Sequence, residues 1–351
     1  MQLMPKVPDW DSRIGRRVTL RDLHILSTVV QHGSMAKAGT HLGRSQSAVS
    51  QAVAAIEAAV GVRLLDRSSR GVEATSYGNA LLRRGRAAFD ELRLGINEIE
   101  SLADPGIGQV RIACAVGLSA GILPPIIDRL LLRYPRIRFD VVETSSTAME
   151  YPELQERRVD VRFAILSRPF EGELAKEFDA EILCHDRICL AAGPSSPWAR
   201  RRKIDLAELV EEPWIVPSSG APGWMAIVEA FRAQGLPPPR ISVTTFSVGL
   251  RNILGMSGRF IVALPVSILD LYADILPLKR LPIELPMAHL PVAIITLKNR
   301  SLSPTAQLLV ECAREVVKSI ASRGGAGEPT RAAPRRGGTS SLRGGARKKP
   351  G

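Results

Sequence analysis

The sequence predicts an α/β chain in three parts: a small winged helix-turn-helix head, one long helix, and two consecutive α/β units. Three observations carry this. Residues Ser34 to Glu57 hold two short helical stretches, each opened by a serine and separated by Gly43. Residues 76–103 keep apolar side chains at alternating spacings of four and three. From residue 109 to 322, strand-like runs alternate with helical ones.

The head comes first. Thr19 to Gln31 is amphipathic, with Leu20, Leu23, Leu26 and Val30 on its apolar side, and Thr19 with Asp22 makes a capping pair. This helix is expected to pack under the next two. Ser34 and Ser45 can cap those, because a serine hydroxyl accepts a free amide at a helix start. Gly43 tolerates the positive φ of the turn. Val49, Val53 and Ile56 recur at helical spacing, and Ala38 and Gly39 are small enough for close helix approach. The opposite face of the second helix carries Gln46, Ser47, Ser50 and Gln51. That face is polar, short-chained and nearly uncharged, so it can enter a major groove and donate to base edges. A helical hairpin with a solvated face has the same pattern, so the flanks decide. Val62 to Thr75 reads as two short strands around a polar turn, a wing whose tip carries Arg67 and Arg70. Such a tip reaches phosphates or a minor groove.

The long helix follows. Leu82, Phe89, Leu92, Ile96, Ile99 and Ala103 form a seam interrupted only by Gly85. A solitary helix with such a stripe needs a cover, and a second copy of itself is the economical one. Two copies would present two reading heads to two half-sites. Asp104 to Gly106 and Gly108 end the helix and make a hinge.

Charge points the same way but must be divided. The net charge is +12, and the stretch from Arg323 to Gly351 holds eight Lys or Arg and one Glu. The tail therefore carries +7, leaving +5 for the body, which is only mildly basic. Poor in apolar residues to bury, the tail is expected to be disordered, and residues 1–17 to be a loose leader. The cysteines are Cys114, Cys184, Cys189 and Cys312, with no Cys-x-x-Cys pair. This fits a reducing compartment and excludes a disulfide framework or zinc site. No apolar run approaches the roughly 18 residues of a membrane span. The N-terminus lacks an apolar signal core, so secretion is not expected.

In the third part, Val110 to Ala115, Ile137 to Val142 and Val161 to Leu166 are strands, with helices at Leu123 to Arg133 and near Tyr151 to Arg157. The order implies a mostly parallel sheet with helices on both faces. The second unit has strands at Glu181 to Ala191, Trp214 to Val216, Ile241 to Phe246 and Phe260 to Leu264, with helices near Leu206 to Val210, from Trp224 to Gln234, and up to Met256. Pro291 to Thr296 and a helix from Ser303 to Ile320 close it.

Residues 18–103 resemble the winged helix-turn-helix and linker helix of the LysR-type bacterial transcriptional regulators. The matching text is Leu23 through Gly33, Ser34 to Leu42, Ser45-Gln46, Ala48, Ser50, Ile56-Glu57, Gly61 to Leu65, Arg67, Arg70-Gly71, and Thr75 with Gly78. Ser47 replaces a usual proline, Gly39 a usual alanine, Arg44 a usual apolar residue, and Ser76-Tyr77 the usual Glu-Ala. These departures bear on operator sequence rather than fold. Residues 109–322 resemble the two-lobed effector domain of the same family, itself similar to periplasmic solute-binding proteins, through Leu123-Pro124, Tyr134-Pro135, Gly258 before Ile261 to Pro265, and Leu302 to Pro304. The resemblance implies a DNA-binding domain at 18–75, a dimerising linker at 76–108, and an effector domain whose chain leaves the first lobe near 168 and returns near 293. It makes Ser34, Ser45, Gln46, Ser47, Ser50, Gln51, Arg67 and Arg70 the DNA-contacting set. It also implies a cytoplasmic homodimer or homotetramer, with operator DNA, a small-molecule effector and RNA polymerase as partners.

Three function classes compete: an effector-controlled DNA-binding regulator, a solute-binding protein, and an enzyme. The absent secretory signal and the DNA-reading head argue against the second. No Gly-x-Gly-x-x-Gly, Gly-x-Ser-x-Gly, phosphate loop or metal-ligand cluster supports the third. The regulator is the expectation. Its alternative is a cytosolic solute-binding or redox-sensing regulator using Cys184 and Cys189. In a two-lobed fold the effector lies at the carboxyl ends of strands, where helices start. Those ends are Gly117-Leu118-Ser119, Ser145-Ser146-Thr147, Pro217-Ser218-Ser219-Gly220 and Ser247. Hydroxyls and free amides there favour a small anion such as a carboxylate. Ser146 matches the family's pocket position. Gly117 stands where the family often has a hydroxyl, which removes one donor.

Overall fold

The computed structural model describes residues 18–69, 71–104, 106–144, 149–217, 221–285 and 289–323. The expected leader and tail, and the candidate residues Arg70, Ser145, Ser146, Thr147, Ser218 and Ser219, lie outside the described residues.

The head is built from α1 (Leu20–His32), α2 (Met35–Leu42) and α3 (Gln46–Val60). Thr19 and Asp22 close a two-way capping box on α1. Ser34 accepts from the Lys37 amide, and Ser45 from the Ala48 amide. Gly43 makes the turn at φ 64°. Gly39 allows the close approach of α2 to the turn and the start of α3: a Cβ there would lie 2.7 Å from the Arg44 carbonyl oxygen and 3.4 Å from the Gln46 nitrogen. Ile25, Leu26, Val29, Val49, Val53 and Ile56 form the core, while Leu20, the first helical residue, stays exposed.

The wing is an antiparallel pair, β1 (Leu65–Ser68) and β2 (Gly71–Ala74), with Leu65 opposite Ala74 and Ser68 opposite Gly71. It is moored twice. The Val72 amide donates to the Gly33 carbonyl at 2.9 Å. A Cβ on Gly71, whose φ is 129°, would come within 2.8 Å of that same oxygen, so glycine is required on both counts. Glu57 Oε1 accepts from the Leu64 and Leu65 amides at 2.7 and 3.2 Å, tying the wing's entry to the end of α3.

The linker helix α4 (Ser76–Ala103) starts at Thr75, whose hydroxyl accepts from Gly78. Its seam divides. Leu82 is 3% exposed and belongs to the head's own core, so it is not available to a second copy. Phe89 is half-buried, edge-on to His24. From Leu92 onward the stripe is bare: Leu92, Ile96 and Ile99 are 52%, 57% and 68% exposed.

The remaining chain runs β3 (Ile107–Ala115), α5 (Val116–Ser119), α6 (Leu123–Arg133), β4 (Arg136–Thr144), α7 (Pro152–Gln155), β5 (Val161–Ile165), α8 (Glu173–Glu177), β6 (Phe178–Ala192), β7 (Trp214–Val216), α9 (Pro222–Ala233), β8 (Ile241–Thr244), α10 (Val248–Met256), β9 (Ile261–Pro265), α11 (Val266–Leu271), β10 (Lys279–Arg280), β11 (His289–Leu297) and α12 (Pro304–Arg323). The hinge ends earlier than expected, because β3 already begins at Ile107 and takes in Gly108.

The sheet is mixed rather than mostly parallel. Its order is β4-β3-β5-β11-β6-β9-β7-β8, with β10 beside β6. β3 pairs in parallel with β4 and β5, and β7 in parallel with β8 and β9. Between these parallel groups, β11 and β6 run antiparallel to each other and to their outer neighbours. β6 belongs to both lobes: Phe178–Arg187 pair with β11, and Ile188–Ala192 with β9. The exit from the first lobe therefore falls near Arg187, in the last third of β6 and well past residue 168. Helices cover both faces. α6 and α12 pack one face of the first lobe, where Ile126, Leu309 and Ala313 are fully buried. In the second lobe Trp214 packs edge-on to Phe231 and donates its indole N–H to the Leu209 carbonyl at 2.8 Å.

Candidate functional site

Two regions combine chemistry with access. The first is the exposed surface of the head. Gln46, Ser47 and Gln51 are exposed and Ser50 is half-buried, all on the side of α3 away from Val49, Val53 and Ile56. Ser34 and Ser45 spend their hydroxyls as helix caps, and Ser45 Oγ also lies 2.9 Å from Ser47 Oγ. The amide-bearing Gln46 and Gln51 are thus the long side chains free to reach a partner. Arg67 is exposed, but it stands on β1 opposite Val72 rather than at the wing's tip. Arg44, exposed in the turn just before Ser45, adds a cation to this surface; in sequence it shows only as a departure from the family pattern. Glu57 is a structural residue that helical periodicity does not single out. An acid in the last turn of a helix opposes the dipole, and that mismatch is the signal for it.

The second region is the space between the lobes. A cavity of about 600 Å³ opens at the carboxyl ends of β3, β4 and β8. Val116, Ser119 and Glu143 line it from the first lobe, and Phe246, Ser247, Gly249 and Asn252 from the second. Of the predicted effector residues, the structure brings Ser119 and Ser247 together here. Leu118 is instead a core residue, because α5 turns it inward beneath β3. Gly117 has nothing near its Cβ position and leaves open space. Pro217 is half-buried at the end of β7 and lies outside this lining. Ser247 accepts from the Leu250 amide at 3.2 Å and so caps α10. Ser119 Oγ lies 2.9 Å from the Val116 carbonyl and 2.5 Å from Glu143 Oε1. Glu143 was not foreseen, since an acid near the end of an edge strand reads as a solvated one. A second, more apolar cavity of about 700 Å³ lies between the end of β5 and α9, lined by Leu166, Phe170, Ile182 and Met225.

The cysteines do not form a redox pair. Cys184 and Cys189 are five residues apart on β6, roughly 16 Å at strand rise. A disulfide needs Cα atoms within about 7 Å. Burial pushes both thiols up to about 12, so neither is a ready thiolate. At the crossing of the lobes, burial likewise raises Asp186 above the usual carboxylate value, against the bond from Ser267 Oγ at 2.5 Å.

A buried ion cluster fastens α4 to the first lobe. Asp90 on α4 and Asp160 before β5 share Arg93, Arg111 and Arg300, and Arg157 joins Asp90 at 2.9 Å. Burial alone would raise both carboxyls. For Asp90 the bonds from Arg300, Arg93 and Arg157 outweigh it, and for Asp160 those from Arg111, so both lie below the ordinary range.

Comparison with known proteins gives the same division. Residues 20–79 match the bacterial regulatory helix-turn-helix proteins of the lysR family, and residues 103–318 the LysR substrate binding domain. The chain is 26% identical over 300 residues to the HTH-type transcriptional regulator GbpR of Azospirillum brasilense, covering 85% of this chain and 86% of that one. It is 29% identical over 316 residues to the uncharacterized HTH-type transcriptional regulator YfeR of Shigella flexneri, covering 85% and 94%. Full-length CbnR complexed with its target DNA superposes with a TM-score of 0.59 at 22% identity, over 85% of this chain and 100% of that one. Full-length OxyR from Pseudomonas aeruginosa gives 0.60 at 20% identity, over 89% and 99%. At these identities the two structures speak for the fold.

Proposed function

This chain belongs to the LysR family of bacterial helix-turn-helix transcriptional regulators, and on that premise we propose that it reads a specific operator with α3 and is controlled by a small molecule held between the lobes of its effector domain. The observation that carries the reading is the exposed pair Gln46 and Gln51 on the polar side of a helix whose start is held by Ser45. Glutamine offers a donor and an acceptor together, which matches the edge of adenine in the major groove. Arg67 and Arg70 of the wing act alongside it on phosphate or in the minor groove.

The protein works as a homodimer joined along the bare face of α4 at Leu92, Ile96 and Ile99, with Phe89 at the margin of that face. Pairs of dimers make the tetramer, and RNA polymerase is the further partner in the cytoplasm. The effector occupies the cavity between Ser119 and Ser247; Ser145, Ser146, Thr147, Ser218 and Ser219, which follow strand ends in the sequence, are its further proposed contacts.

The test is a binding selection from random duplex DNA, followed by gel shifts on the selected site and on unrelated DNA. Gln46→Ala or Gln51→Ala should cost about 1–3 kcal/mol on the selected site and little on unrelated sequence. Equal losses on both would reduce these residues to positioning.

A further inference from the structure

The charge of the interlobe cavity bears on what it holds, and the inference rests on the reading that the cavity is the effector site. Among the described lining residues the sole ionisable side chain is Glu143. The strand-end residues outside the described set, 145–148 and 218–220, read Ser-Ser-Thr-Ala and Ser-Ser-Gly and carry no charge. Among the described residues Glu143 makes no ion pair; its partner is the Ser119 hydroxyl at 2.5 Å. That hydroxyl has one proton and also faces the Val116 carbonyl at 2.9 Å, so at most one carboxylate lone pair is served.

The facing wall is neutral. Asn252 Oδ1 accepts from Arg251 Nε at 3.5 Å, which leaves its amide N–H groups for other partners. Arg251 itself, on the buried side of α10, has its Nη1 3.4 Å from the Ala263 carbonyl and does not line the cavity. Glu143 is exposed in the cavity, and a ligand that covers it with one hydroxyl for company strips it of water without replacement, which costs free energy. A ligand that brings a positive donor removes that cost, and one that brings a second carboxylate adds to it.

We infer that the effector is a small ammonium-bearing solute whose N–H groups bind Glu143, with Ser119 and Asn252 holding its remaining polar atoms. The anion expected from hydroxyls and helix starts is thereby displaced from the Glu143 side of the cavity.

The experiment is isothermal titration of the full chain with three matched sets: ammonium compounds (ethanolamine, putrescine, β-alanine), carboxylates without an amine (propionate, succinate), and polyols (glycerol, glucose). At least one ammonium compound should bind, and Glu143→Gln should weaken it by about tenfold or more, the scale of a hydrogen bond to a charged group. Silence across the ammonium set overturns the inference. So does a carboxylate that binds and tightens in Glu143→Gln, or a polyol whose affinity that change leaves alone. Gly249→Phe separates the inference from the reading beneath it. Gly249 lines the cavity, and the nearest atom to a Cβ there is Ser247 Oγ at 3.9 Å, so a side chain can start from it without a clash at its first atom. Binding lost in Gly249→Phe but kept in Glu143→Gln means the cavity is right and the charge assignment wrong. Binding kept in both Gly249→Phe and Glu143→Gln means the effector sits elsewhere and overturns both. Unchanged melting temperature and unrelated-DNA affinity in both variants show that they fold.

Discussion

Arg300 grips Asp90 with two bonds, Nε to Oδ2 at 2.6 Å and Nη2 to Oδ1 at 2.9 Å, across 210 residues of chain. One end stands on the linker helix and the other just after β11. Both are almost without exposure. With Asp160 at the same guanidinium, the cluster sets four arginines against two aspartates, so each carboxylate is heavily committed.

Asp90→Asn therefore leaves buried guanidinium groups short of a counter-charge. Removing one partner of a buried pair costs about 3–5 kcal/mol, and the loss should fall on the docking of α4. Urea titration of the full chain, with limited proteolysis around residues 104–106, checks this. An unchanged midpoint and cleavage pattern would show that the cluster is incidental.

The same carboxyls predict an acid limb. Both sit below their unfolded values, so their contribution is present above about pH 4 and fades as pH falls through the folded values. Asp186 has the opposite sign. Its value is raised by burial, so the stability it lends is complete at low pH and is lost as pH climbs through the folded value. Thermal melts from pH 3 to pH 8 should show Asp90→Asn with a shallower acid limb, and Asp186→Asn with the smaller deficit at pH 7.

Leu82 and Leu92 lie on one helix and should fail differently. Leu82→Ala opens a hole in the head's core and costs about 2–5 kcal/mol, leaving assembly alone. Leu92→Asp puts a charge on the bare face and should release monomers with weak operator binding. Light scattering that finds Leu92→Asp unaltered in mass would move the interface off this face.

Arg67, exposed on β1, should neutralise one DNA phosphate. Arg67→Ala should then lower the slope of log affinity against log salt by about 0.9, the share of a single phosphate. An unchanged slope would leave this arginine merely solvated.

What the sequence disclosed was local. Thr19, Ser34, Ser45 and Thr75 open helices because capping involves three or four neighbouring residues, and α6 has the bounds its flanking residues set. What it hid was distant. Nothing near Leu82 says that its own head covers it while Leu92 is left bare. The antiparallel pairing of β6 and β11 joins residues a hundred apart, and periodicity carries no record of a partner strand. Asp90 reads as one more acid on a polar helix face until Arg300 arrives from the far end of the chain. Leu118 follows a strand end, as a ligand residue would, but the short helix α5 rotates it into the core.

β6 and β11 carry one more consequence. The lobes are joined by a hydrogen-bonded ribbon rather than by loose peptides. A paired ribbon carries the right-handed twist of its strands. A change in the angle between the lobes therefore has to deform this paired ribbon. At the bulge where Val292 pairs with Cys184 and Ala293 with Ile182, Leu183 has no opposite number, so the ladder is interrupted and the local twist increases.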